Sequence, residues 1–159
     1  MPNRARIDGT DAKIILELAK HPRATTIAVA EEVGIARNTA HTRLTRLEDS
    51  GALGSVELRV DPAALGYPLT AFVTAQVTQR MLDDVAAALA AVPEVLQVQG
   101  ISGDTDLFIH VVATDADDLY RIAGQILAIP GIERTSTALV MRQLVGYRVT
   151  PLLRRAVPD

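Results

Sequence analysis

The chain has 159 residues, of which 48% are hydrophobic and five are aromatic, and it contains no cysteine. This length supports one mid-sized domain or two small ones. The lack of cysteine excludes disulfides, zinc fingers, iron–sulfur ligation and thiol nucleophiles. The net charge of −3 argues against a polycationic, sequence-independent nucleic-acid coat. Because no apolar signal segment and no run of ~20 apolar residues occurs, we expect a soluble, cytoplasmic protein.

Charge and hydrophobic pattern both change near residue 61. Residues 1–60 hold nine basic and eight acidic side chains, a balance of +1, whereas residues 61–159 hold seven and eleven, a balance of −4. Apolar residues recur at helical spacing before this point and often alternate after residue 68. Two prolines and a glycine interrupt residues 61–68. We therefore predict a helical domain over 1–60, a linker over 61–68, a second domain over 69–150 and a tail over 151–159.

Three helices are predicted in the first domain. The first covers residues 8–20, with Asp8 or Thr10 as its N-cap, and the second runs to residue 33, where Gly34 ends it. The third covers residues 37–49. Two helices joined by a tight glycine turn are typical of a helix-turn-helix. The residues expected to face inward are Ile14, Ile15, Leu18, Ala19, Ile27, Ala30, Val33, Ala40, Leu44 and Leu47.

The outward face of the third helix is polar and carries three arginines. Arginine and asparagine make bidentate contacts to base edges in the major groove, which predicts binding to double-stranded DNA. Arg46, nearer the C-terminal end, is placed to reach a phosphate. The alternative is a solvated face on an ordinary three-helix bundle. The candidate DNA-binding residues are Arg37, Asn38, Thr39, His41, Thr42, Arg43 and Arg46.

The second domain has the predicted order β-α-β-β-α-β. Strands are expected at 69–78, 95–102, 105–113 and 132–145, and helices at 81–92 and 115–129. The fold class is thus α+β, with a winged or three-helix helix-turn-helix domain followed by a ferredoxin-like sheet that has both helices on one face. The uncovered face would carry Phe72 and Thr74, or Gln97 and Gln99. A half-apolar open face predicts a homodimer, which would set two reading helices about 34–36 Å apart or a multiple of that.

A turn between the second and third strands is the candidate effector site. Carboxylates there could hold an α-amino group, and backbone N–H groups near glycine could hold a carboxylate. A simple hairpin turn is the alternative, because Asp and Gly are favoured in turns for backbone reasons. Two acids without further ligands make a poor metal site, so we expect no metal. The sequence shows no Ser/His/Asp cluster, nucleotide-binding glycine loop or zinc-ligand spacing, so we expect no cofactor and no catalytic residue. The candidate effector-binding residues are Ser102, Gly103, Asp104, Thr105, Asp106, Thr135 and Thr137.

Motifs along nearly the whole chain resemble the leucine-responsive/asparagine regulator (Lrp/AsnC) family. In the first domain they are Ile7-Asp8-x-x-Asp11-x-x-Ile14-Ile15, Pro22-Arg23-Ala24, Val29-Ala30-Glu31-Glu32-Val33-Gly34-Ile35 and Arg43-Leu44-x-Arg46-Leu47-Glu48-x-x-Gly51. In the second they are Asp61-Pro62-x-x-Leu65-Gly66, Gly103-Asp104-x-Asp106 and Pro130-Gly131-Ile132-x-x-Thr135-x-Thr137. Each motif is modest alone, but together and in this order they are specific.

The resemblance implies a transcriptional regulator with an amino-acid-sensing second domain of the RAM type. Its implied partners are DNA, an amino acid or related small molecule, and copies of itself, as a homodimer or a larger tetramer or octamer. Two alternatives stay open: a ligand-independent regulator or architectural DNA-binding protein, and an enzyme similar to sirohaem decarboxylases. The enzyme is disfavoured because the second domain has one histidine, His110, and no basic cluster before Arg154-Arg155.

Three positions depart from the family pattern. Ala36 stands where a serine usually caps the reading helix, which predicts a looser helix start. Thr45 replaces a common basic residue, which predicts fewer phosphate contacts. Thr105 stands where an aromatic residue is usual.

Overall fold

The computed structural model describes residues 6–54 and 60–158. These residues fall into two compact units: residues 60–144 form one, and the N-terminal helices together with residues from 145 onward form the other. No helix within the described ranges is long and apolar enough to cross a membrane.

The N-terminal unit begins with three helices, α1 (Gly9–Lys20), α2 (Thr26–Val33) and α3 (Arg37–Asp49). A reciprocal capping box starts α1: the Asp11 N–H donates to the Asp8 carboxylate at 2.8 Å, and the Asp8 N–H donates to the Asp11 carboxylate at 3.0 Å. Gly34 has φ 76°, the left-handed conformation that glycine adopts most easily, and it turns the chain from α2 into α3. The predicted helix-turn-helix is therefore confirmed. A wing after α3 would involve residues 55–59, which lie outside the described residues.

The helices pack through small and aliphatic side chains. Ile14, Val29, Ala30, Ala40 and Leu47 are all buried. The predictions that Ala19 and Ile27 face inward are wrong, because both residues are exposed. Ile27 precedes Val29 by two residues, which places the two side chains nearly opposite each other around a helix.

The other unit is one antiparallel sheet with two helices. Its elements are β1 (Leu69–Val77), α4 (Leu82–Ala90), β2 (Val95–Gly100), β3 (Leu107–Ala113), α5 (Ala116–Leu127) and β4 (Ile132–Leu139). The strand order is β2-β3-β1-β4, so the predicted β-α-β-β-α-β arrangement is confirmed. The fourth strand ends at Leu139 and not at residue 145, because its neighbour in the sheet, β1, begins at Leu69 and the last bond joins the Val140 N–H to Thr70 O at 2.9 Å.

The two faces of the sheet differ. Alternate residues of β1 and β3, among them Val73 and Ile109, are buried in the core with Val85, Leu89 and Ile122 from the two helices. On the opposite face Phe72 stacks on Phe108 with ring centroids 4.7 Å apart. The ring of His110 lies 5.0 Å from that of Phe72 and is tilted by 31°. Gln97 is paired with His110 and Gln99 with Phe108, so both expected residue sets share this open face. His110 is thus a side chain of the sheet face, as its position in the sequence predicts.

A further helix, α6 (Thr150–Ala156), lies where the sequence predicts a tail, so that prediction is corrected. It packs against α1 with Leu153 buried. The contact is close: a Cβ on Gly9 would stand 2.7 Å from Cδ of Pro158. A short helix such as α6 is hard to predict from sequence alone, because the burial of its apolar side chain depends on a partner helix more than 130 residues away.

Candidate nucleic-acid interface and effector pocket

Helix α3 presents a polar face to solvent. Ala40 and Leu47 are buried beneath it and hold the helix against α1 and α2. No side chain caps its start, because Ala36 is the N-cap residue. The side chains that are exposed on this face are those of Arg37, Asn38, Thr39, His41 and Thr42.

Two arginines of α3 bind acids of α1. Nη1 of Arg43 donates to Oδ2 of Asp8 at 2.7 Å and to Oδ1 of Asp11 at 2.8 Å. Nη2 of Arg46 donates to Oδ2 of Asp11 at 2.5 Å. The Asp11 side chain is fully buried, whereas those of Asp8, Arg43 and Arg46 are partly exposed. The sequence shows that α3 has no acidic residue before Glu48. It does not show that the fold brings two acidic residues from the start of α1 against α3.

The ion pairs change the protonation of these groups in consistent directions. The hydrogen bond from Arg43, with one from the Asp11 N–H, lowers the pKa of Asp8 from 3.8 to about 2. Burial raises the pKa of Asp11, but hydrogen bonds from Arg46, Asp8 and Arg43 outweigh it and the net pKa is lowered. Hydrogen bonds to Asp8 and Asp11 raise the pKa of Arg43. Asp8, Asp11 and Arg43 are therefore charged at neutral pH.

Arg37 differs from the other two arginines of this helix. Among the described residues it has no acidic group within 4.0 Å, whereas Arg43 and Arg46 have three such ion pairs between them. A shallow depression beside α3 is lined by side chains of α3 and by the N-cap residue of α1. They are Asp8, Asn38, Thr39, Thr42, Arg43 and Arg46.

The predicted effector turn is tied to β1. The Asp106 carboxylate accepts hydrogen bonds from the Val77 N–H at 2.8 Å and from Nε2 of Gln79 at 2.7 Å. Gln76 Nε2 donates to Asp104 O at 2.7 Å. Gly103 adopts φ 127°, a conformation that side chains disfavour. These hydrogen bonds indicate a structural role for Asp106 in the turn, and they direct its carboxylate toward the end of β1.

A pocket of about 180 Å³ lies beside this turn. Of the sequence-predicted residues, Asp104, Thr105 and Thr135 line it, whereas Ser102, Gly103, Asp106 and Thr137 do not. Thr137 is paired with Val73, whose side chain faces the helices. The remaining lining residues were not among the predicted effector residues; they are Thr74, Gln76, Arg134 and Ser136.

The missed residues come from the strand register. Thr74 is paired with Ser136, and Gln76 with Arg134, so the four side chains form two neighbouring cross-strand pairs on one face. Alternation within the first predicted strand already groups Thr74 with Gln76. No group of three potential metal-ligating side chains occurs within residues 6–54 and 60–158.

Comparison with known proteins identifies the two units. A winged helix-turn-helix DNA-binding model matches residues 7–53, and an Lrp/AsnC ligand-binding-domain model matches residues 70–150. The chain belongs to the Lrp/AsnC family. As a member of this family it is a transcriptional regulator with a DNA-binding unit and a ligand-binding unit.

Relatives of this Lrp/AsnC protein have similar lengths. It is 32% identical to the regulator FL11 of Pyrococcus horikoshii over 87% of this chain and 92% of the relative. It is also 32% identical to the regulator AldR of Mycolicibacterium smegmatis over 90% and 86% of the two chains. Because these relatives are named transcriptional regulators, the decarboxylase alternative is set aside.

Two solved structures show the same fold. Escherichia coli AsnC superposes with a TM-score of 0.81 at 23% identity, over 92% of this chain and 100% of that one. The feast or famine regulatory protein Rv3291c of Mycobacterium tuberculosis, complexed with L-methionine, gives a TM-score of 0.78 at 26% identity, over 91% and 98%. The α+β fold class is therefore confirmed.

Proposed function

We propose that α3 reads DNA sequence and that its first two turns make the base contacts. The observation that supports this most strongly is the set of exposed polar side chains from Arg37 to Thr42 on a helix anchored by buried Ala40. Asn38 has the bidentate amide that suits adenine, and Arg37 has the guanidinium that suits guanine. Arg43 and Arg46 follow on the same helix and keep N–H groups that the acids of α1 do not use.

The test is binding of the full chain to its own upstream DNA, followed by fluorescence anisotropy and footprinting. Replacing a base-reading side chain costs about 1–3 kcal/mol and relaxes specificity at one position. We expect this for Asn38→Ala. Arg46→Ala should weaken all sequences alike. Lys13→Ala, an exposed position on α1, is the control. A wild-type chain that gives no footprint would refute the proposal.

We further propose that the pocket beside the turn binds an amino acid. Arg134 provides a cation for the α-carboxylate, and Asp104 provides an anion for the α-ammonium group. The hydroxyl groups of Thr74, Thr105 and Ser136 supply further hydrogen bonds. The complex of the 26% identical M. tuberculosis protein with L-methionine supports the ligand class.

A thermal-shift screen of the twenty amino acids tests the effector. A ligand that binds the folded state raises the midpoint of unfolding, and the rise grows as its concentration exceeds Kd. We expect Arg134→Gln and Asp104→Asn to abolish the shift, and Arg142→Gln, at an exposed position outside the pocket, to preserve it. A panel without any shift would favour the ligand-independent regulator.

We also propose that the protein acts in the cytoplasm, where genomic DNA is found, as a homodimer that associates further into tetramers or octamers. The open sheet face supports the dimer, because Phe72 and Phe108 leave an apolar patch at its centre. A two-fold dimer would present two α3 helices to adjacent half-sites.

A further inference from the structure

Asp8 and Asp11 share one guanidinium nitrogen but differ in exposure. Nη1 of Arg43 lies 2.7 Å from Asp8 and 2.8 Å from Asp11. The Asp8 side chain is 54% exposed, whereas the Asp11 side chain is 0% exposed. A charged side chain in an exposed ion pair can change partners at little cost in free energy, whereas breaking a buried ion pair leaves an uncompensated charge. Of the two acids, Asp8 is therefore the one that Arg43 can leave.

The position of Asp8 puts it in competition with DNA. It lines the same depression as Asn38, Thr39, Thr42, Arg43 and Arg46, next to the proposed reading residues. A phosphate oxygen that enters this depression offers Arg43 the same kind of hydrogen bond that the Asp8 carboxylate offers. Both anions cannot occupy one position, and they repel each other when close together.

We propose that Asp8 is a negative determinant of DNA affinity: it holds Arg43 in the free protein and yields the guanidinium to a DNA phosphate on binding. This inference rests on the proposed role of α3. A phosphate that takes Nη1 of Arg43 must replace the Asp8–Arg43 pair, so non-specific DNA gains less from this group than it would from an unpaired arginine. A full set of contacts at the correct site offsets this loss. Asp11 keeps its hold on Arg46 throughout.

The test uses Asp8→Asn in the full chain. Asparagine caps a helix as well as aspartate does, so α1 keeps its N-cap while the charge is lost. We expect binding to non-specific duplex DNA to tighten about three- to tenfold at low salt. The slope of log K against log salt should steepen by about 0.9, because the charge of Arg43 is no longer offset by Asp8 at the phosphate. Asp8→Ser, which also caps, should give the same result if Asn disturbs the fold.

Two controls separate this mechanism from a general gain of positive charge. Asp115→Asn makes the same change at the N-cap of α5, outside the helix-turn-helix unit, and should leave DNA binding unchanged. In an Arg43→Gln background, the effect of Asp8→Asn should fall to a small remainder from repulsion between Asp8 and phosphate, whereas an effect of net charge alone would persist in full. An unchanged salt slope, weaker binding, or full persistence of the effect in that background would overturn the inference while leaving the DNA-reading role of α3 intact. Loss of wild-type binding would instead refute the reading role itself.

Discussion

The buried carboxylate of Asp11 accepts a 2.5 Å hydrogen bond from Nη2 of Arg46, and this bond joins the first helix to the third. Removing one partner of a buried ion pair leaves the other charge without compensation. Asp11→Asn should therefore destabilise the helix-turn-helix unit by about 2–4 kcal/mol. This is at or below the usual cost of breaking a buried ion pair, because the two arginines stay partly hydrated. Urea unfolding followed by circular dichroism measures this. Asp49→Asn, at the exposed end of α3, is the matched control and should change stability little.

The same cluster should make the helical unit sensitive to acid. The pKa of Asp8 is lowered from 3.8 in the unfolded chain to about 2 in the folded one, so its ion pair stabilises the fold fully above pH 4. This contribution disappears as the pH falls from 4 through 2. The stability difference between wild type and Asp8→Asn should then shrink over this range. Unfolding midpoints at pH 5, 3 and 2 measure it, and a constant difference would contradict the ion-pair origin.

Helix α3 begins without a side-chain cap, and this can be repaired. Ala36 has φ −65° and ψ 145°, the extended conformation of an N-cap residue. Serine there would accept a hydrogen bond from an N–H of the first turn, as Thr25 does from Ala28 in α2. Ala36→Ser should stabilise the unit by about 0.5–2 kcal/mol, and Thr25→Ala should destabilise it by a similar amount. Thermal unfolding of both variants tests the pair.

Two glycines of the sheet unit should respond in opposite ways to alanine. Gly131 has φ 97°, and a Cβ there would lie 2.9 Å from Cβ of Met81, so Gly131→Ala should destabilise the protein. Gly124 lies within α5, and a Cβ added there would meet no neighbouring side chain of the described residues within 4 Å. Gly124→Ala should therefore stabilise the protein by about 0.5–1 kcal/mol. Comparison of the two thermal midpoints is the measurement, and equal shifts would contradict the argument.

Features that depend on one helix could be predicted from the sequence, whereas contacts between distant elements could not. Helical periodicity correctly placed Ala40 and Leu47 on the buried side of α3, because the spacing of apolar residues is a property of one helix. It could not place Asp11 against Arg46, since that contact spans 35 residues and depends on how two helices cross. Arg134 was missed for a similar reason: its place beside Gln76 follows from the register of β1 with β4, which contains an irregularity at Val77.

The open sheet face leads to a prediction about assembly. Phe72 lies at the centre of this face, stacked on Phe108 and in contact with His110, and its β4 neighbour on the sheet is Ala138. If a second copy covers the face, Phe72→Glu buries an unpaired charge at the contact and should shift the protein to monomers. Tyr120→Glu, at an exposed aromatic position on α5, introduces the same charge elsewhere and should leave the assembly unchanged. Sedimentation velocity at several concentrations measures both masses. If Phe72→Glu keeps the mass of a wild-type dimer, the dimer forms through another surface.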